Sequence, residues 1–134
     1  MERLKERIEQ ADAALATLEE LLDVDPTDVI RDAAIQRFEY SFEPVWKTAQ
    51  RYLLVVEGNS EASPKSVIRA SVAAGLLKEA DGRMALTMVD DRNLTSHTYN
   101  ASLARRIFSA LPEYAHIMRV WLDAMGKGYR VSGR

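Results

Sequence analysis

Apolar residues recur every three or four positions through almost the whole chain, and nowhere do they alternate. Leu4, Ile8, Ala11, Leu15, Leu18 and Leu22 fall on one face of a helix predicted from about Glu2 to Leu22. Ile30, Ala34, Phe38, Phe42, Val45, Ala49, Tyr52, Leu53 and Val56, widened by Ile35 and Trp46, define a second helix over about Asp28 to Glu57. Between them Asp23-Val24-Asp25-Pro26-Thr27 interrupts the pattern, because Pro26 disfavours helix at Asp25 and Thr27 or Asp28 can cap the second helix. Pro44 lies inside the second helix and removes one backbone donor, which predicts a kink.

Ser63-Pro64 starts a short third helix carrying Val67, Ile68 and Val72, with Gly75 as its stop. Asp81-Gly82 reads as a turn, followed by a fourth helix from about Arg83. Asn100 is placed to cap a fifth, with Leu103, Ile107, Phe108 and Leu111, which Pro112 kinks or divides before Ile117, Val120, Trp121 and Leu122 resume the stripe. Long amphipathic helices with short links predict an all-α, antiparallel bundle of four to five helices. Residues 1–125 form one domain in this reading, and 126–134, glycine-containing and basic, form a flexible tail.

Composition narrows the function classes. With 134 residues the chain is long enough for one core, and with no cysteine it has neither a disulfide framework nor a thiolate metal site. Its two histidines, His97 and His116, have no spacing that suggests a metal. A formal net charge of -2 argues against indiscriminate polyanion binding, so any RNA contact rests on a few arginines. A charged N-terminus and the lack of a membrane-length apolar run predict a cytoplasmic protein without a membrane partner.

One segment does not read as core. On a helical wheel Met84, Leu86, Met88 and Val89 form an apolar face, and Arg92 falls near its middle. A cation there must be paired or must line a cleft, because burying it alone is costly. Ser96 and Tyr99 share its face, while Asn93 and His97 form the neighbouring edge. Arg92 and His97 are five apart and diverge by roughly 140° in a regular helix. They converge only if the helix loosens near Ser96, if the arginine wraps around, or if a second subunit completes the site. From the residues alone Arg92 is either a structural cation, with Glu39 or Glu43 as partner, or a ligand-facing one. His97 is likewise either a helix-end group or part of a site. Trp46 and Trp121 read as core or interface anchors rather than base-stacking platforms.

Arg92-Asn93-Leu94-Thr95-Ser96-His97-Thr98-Tyr99 resembles the Arg-x4-His-x-Tyr site of HEPN-superfamily, HepT-like proteins. The stretches Arg37–Lys47 and Ser63–Ala70, with Gly75-Leu76-Leu77, are similar to blocks of the nucleotidyltransferase substrate-binding proteins within that superfamily. Met84 stands where relatives commonly have tryptophan, and Pro44 where they have a helix-compatible residue. The resemblance implies a bundle that forms a homodimer or higher oligomer, through the motif helix, beside a minimal nucleotidyltransferase. It also implies a metal-independent ribonuclease of toxin–antitoxin type, with Arg92, Asn93 and His97 catalytic; from their placement Ser96, Glu39 and Glu43 are candidate supporting or substrate-binding residues. Tyr99 would be the tyrosine that the partner adenylylates to silence it. The alternative is a non-catalytic subunit that binds a nucleotide or other substrate. In either case no cofactor is intrinsic, and ATP and magnesium belong to the partner.

The chemistry suits those residue types. Histidine titrates in the range needed for general acid–base work on a 2′-hydroxyl. Arginine's fixed fork matches a phosphate on which charge develops. A nucleotidyl group on Tyr99 would set a negative phosphate near Arg92.

Overall fold

The computed structural model describes residues 2–132, and these form five α-helices and one 3-10 turn. In order they are α1 (Glu2–Leu22), α2 (Asp28–Glu57), α3 (Pro64–Ala73), α4 (Glu79–Leu94), the 3-10 turn Thr95–His97, and α5 (Ala101–Ser132). Among the described residues no helix is long and apolar enough to cross a membrane. The chain is the helical bundle that its periodicity predicts.

Local chemistry sets the ends of the elements. The Thr27 side chain accepts from the Ile30 amide at 3.2 Å and starts α2, while Gly58 ends it with φ 68, a left-handed geometry that glycine adopts without a Cβ clash. Ser63 and Ser66 exchange side-chain and backbone hydrogen bonds in a capping box ahead of α3. Asn100 Oδ1 accepts from the Leu103 amide at 3.2 Å, as expected of the cap of α5.

Helices α1, α2 and α5 pack most extensively on one another, and α3 and α4 close one side against α2 and α5. Leu4, Ala11, Leu15 and Leu18 from α1 meet Phe38, Phe42, Val45 and Leu53 from α2, and Ile107, Leu111, Met118 and Trp121 from α5. Phe38 stacks on Tyr114 with ring centroids 5.6 Å apart. Arg119 on α5 ties the outer edge to α1 by bonding Glu19 through two nitrogens, at 2.8 and 3.2 Å, and also Asp12.

Three expectations are corrected. Asp81 and Gly82 are not a turn but lie in the first turn of α4, which begins at Glu79. Gly82 is needed for closeness, because a Cβ there would run into the Val72 side chain of α3. Pro112 does not divide α5, which runs on past it with buried residues on both flanks; there, as at Pro44 inside α2, one carbonyl is left without its helical donor. The stretch from Gly126, expected to be a tail, continues α5 as far as Ser132, and residues 133–134 lie outside the described ones. The reason lies at Gly128, where the missing Cβ makes a notch for the ring and hydroxyl of Tyr52. Tyr52 is buried there, and burial, then the charge of Glu57, pushes its hydroxyl pKa up. Docking on α2 therefore supports a helical end that glycine propensity alone would fray.

Candidate functional site

The buried face of α4 runs through Gly82, Ala85, Met88, Val89 and Asp91, and continues to Thr95 in the 3-10 turn. Asp91, not Arg92, is thus the charge that enters the core. Its carboxylate accepts from Tyr114 Oη at 2.5 Å and from both terminal nitrogens of Arg106, at 2.8 and 3.3 Å. Burial, then the hydrogen bond to Asp91, then its charge, raise the Tyr114 pKa well above its usual value. This triad fastens α4 to α5 just before the motif. Its signal in the sequence was the spacing of Met88, Asp91 and Thr95, at three and four, one position off the stripe assigned to Arg92.

Arg92 sits at the edge of that face with its side chain 32% exposed. One terminal nitrogen lies 3.4 Å from Glu43 Oε1 on α2, which selects Glu43 over Glu39 as its partner. Glu43 also accepts from Trp46 Nε1 at 3.3 Å and lies 3.8 Å from Lys47 Nζ. The Arg92 Nε is buried and makes no hydrogen bond. A buried donor left over after the ion pair marks a guanidinium that is held but not saturated.

Beyond Leu94 the helix tightens. Thr95 Oγ1 donates to the Arg92 carbonyl at 2.7 Å, Thr98 Oγ1 to the Thr95 carbonyl at 3.1 Å, and the Asn100 amide to the His97 carbonyl at 3.1 Å. These bonds satisfy carbonyls that a helix end would otherwise leave open. Just before Ser96 the chain thus passes from α-helix into a tighter 3-10 turn, which does not bring Arg92 and His97 together. It turns His97 outward, where its ring meets that of Tyr99 edge-on at 6.0 Å. Tyr99 is 86% exposed, an unusual setting for so large an aromatic.

Asn93 and Ser96 are exposed and Glu39 half-buried. Asp90, on the outer side of α4, pairs with Lys65 of α3 at 2.7 Å. The structure thus brings Arg92 to Glu43, and His97 to Tyr99, as two adjoining pairs within one chain. Tyr99 also borders an open cleft of about 250 Å3 between the start of α2 and the start of α5, lined too by Asp32 and Arg105 and by Arg31, which pairs with Asp28 at 2.6 Å. Among the described residues no group of three His, Asp or Glu side chains could hold a metal ion.

Comparison with known proteins adds the family. Residues 6–127 match the family model described as nucleotidyltransferase substrate binding protein like. A protein of Thermus thermophilus known from its crystal structure is 56% identical, with a TM-score of 0.83 over 86% of this chain and 98% of that one. HI0074 of Haemophilus influenzae, whose structure was described as revealing the fold of a substrate binding domain of a nucleotidyltransferase, is 22% identical and shares the fold, with a TM-score of 0.74 over 88% of this chain and 98% of its own. A search of curated proteins gave no match. With the family model spanning nearly all of the bundle, and 56% identity to the Thermus protein over 86% of the chain, this chain belongs to the nucleotidyltransferase substrate binding protein-like family.

Proposed function

We propose that this chain is the helical subunit of a two-component nucleotidyltransferase system in the cytoplasm, and that it offers Tyr99 to the transferase as an acceptor. The observation that supports this most directly is the 86% exposure of Tyr99 on a structured turn, its backbone fixed by the bonds around Thr95 and Thr98. Family membership supports a nucleotidyltransferase as the partner; in this reading it is a minimal one and brings ATP and magnesium. In the transfer Tyr99 Oη attacks the α-phosphorus of ATP. A new O–P bond forms, the bond from that phosphorus to the bridging oxygen breaks, and pyrophosphate leaves. The phenolic proton passes to a base of the partner.

Incubated with that transferase, magnesium and ATP, the intact chain is expected to gain the mass of one adenylyl group, and Tyr99→Phe to gain none. Mass spectrometry decides it. Addition that persists in Tyr99→Phe would place the acceptor elsewhere and end this reading.

A second reading, metal-independent RNA cleavage by Arg92 and His97, draws support from the unsaturated guanidinium and from the exposure of His97. Arg92 would bind the scissile phosphate and His97 would move the proton, with Asn93 and Ser96 beside them. Two copies meeting at the motif helix would share the groove. Adenylylated Tyr99 would then block it by bulk and by its phosphate. If the chain cleaves RNA, His97→Ala is expected to slow it by about 100-fold or more, the typical share of general acid–base catalysis. Arg92→Ala should act in the same direction. Cleavage at the parent rate in both variants would remove them from catalysis and leave the acceptor reading alone.

A further inference from the structure

A second cleft, of about 210 Å3, lies where α1, α2 and the α2–α3 connection meet. It has no part in the chemistry above. Arg7 enters from α1, and Lys47 and Arg51, one turn apart, enter from α2. Glu61 is the single carboxylate on its wall, although the chain as a whole has a formal charge of -2. Gln50 Nε2 donates to the Glu61 backbone carbonyl at 2.8 Å, which ties the connection to α2 and holds the wall in place. Among the described residues Arg7 and Arg51 make no ion pair, and the one that Lys47 makes, with Glu43, is long at 3.8 Å.

We infer that this cleft binds the polyphosphate chain of a small anionic ligand. Three cations converging from two helices on one concavity concentrate positive potential there, in a chain whose formal net charge is -2. Arginine forks suit phosphate oxygens, and Lys47 adds a point charge. Size restricts the ligand, since pockets that enclose a drug-sized molecule usually start at roughly 300 Å3. A cleft of about 210 Å3 takes the phosphates and leaves the rest of the molecule outside. Leu54, 46% exposed on the same rim, is the apolar surface on which a nucleoside would lie. Glu61 opposes an anion, so the site is tuned below its full strength.

The test is calorimetric titration of the full chain with inorganic triphosphate and, separately, ATP. Binding is expected with both and should weaken as salt is raised. Arg51→Gln and Arg7→Gln should each weaken it by about tenfold, the loss of one charge-assisted contact. Glu61→Gln should tighten it. Arg83→Gln, at an exposed position paired with Glu79 on α4, should leave it unchanged, as should Tyr99→Phe. Arg7 is exposed, so its variant keeps the fold, and circular dichroism checks the others. Equal affinity for both probes assigns the site to the phosphates alone, and tighter ATP binding adds the nucleoside at Leu54. Absence of binding by both probes overturns the inference, whether or not a short RNA binds. An equal loss in Arg83→Gln overturns it too.

Discussion

Asp91→Ala is expected to lower the unfolding free energy by about 3 kcal/mol, seen as a fall in the urea midpoint at unchanged slope. The carboxylate is 4% exposed, and its removal leaves the Tyr114 hydroxyl without an acceptor on a side chain only 1% exposed. An unsatisfied buried donor costs roughly 1–3 kcal/mol, and the void left by the carboxylate adds to it. Arg106 contributes less, because at 52% exposure its guanidinium can turn to water. Asp91→Asn keeps the volume and one acceptor, so it should lose about a third as much. An Asp91→Ala chain as stable as the parent would mean that the triad does not fasten α4 to α5.

The same triad sets an alkaline limit. The native chain holds the Tyr114 proton more tightly than the unfolded chain, whose tyrosine titrates near 10.0. That contribution is complete below about pH 10 and is lost as pH rises from there toward the native value. Tyr52, raised by burial and Glu57, acts with the same sign, so the difference between parent and Tyr114→Phe isolates Tyr114.

Trp121→Ala is expected to cost still more, about 3–5 kcal/mol, since it empties the largest fully buried side chain of the core. The indole also donates to Ser71 Oγ at 3.1 Å, and Ser71 is itself wholly buried, so truncation opens a void and strands a hydroxyl. Trp121→Phe separates the two effects. It restores most of the volume but not the donor, and should lose less than half as much. Calorimetric or denaturant unfolding measures both variants. A loss under about 1 kcal/mol in Trp121→Ala would place this side chain outside the tightly packed centre.

How far the sequence was legible depended on how local the deciding interaction was. Both ends of α1 and α2 were readable because an apolar stripe and a capping residue lie within a few positions of each other, as at Thr27 and Gly58. Asp81-Gly82 and the stretch from Gly126 were misread because their glycines answer to distant side chains, Val72 and Tyr52. No local pattern records such a partner. At the site, a counter-ion for Arg92 was within reach as either Glu39 or Glu43, since a cation beside an apolar stripe demands one, but only the fold selects Glu43. Asp91 was missed for a geometric reason. Around a helix one position is about 100°, so a small error in the centre of the stripe exchanges the buried charge for its neighbour. In the cleft of Arg7, Lys47 and Arg51 the last two are one turn apart on α2, but nothing local in the chain unites them with Arg7 on α1.

The notch at Gly128 couples two sites that the numbering holds far apart. Any side chain at 128 must find room that the phenol at 52 already fills, so neither position can drift alone. A variant library that sampled them one at a time would score both as intolerant. Sampled together, with a smaller residue at 52 and alanine at 128, they should tolerate change that neither tolerates singly.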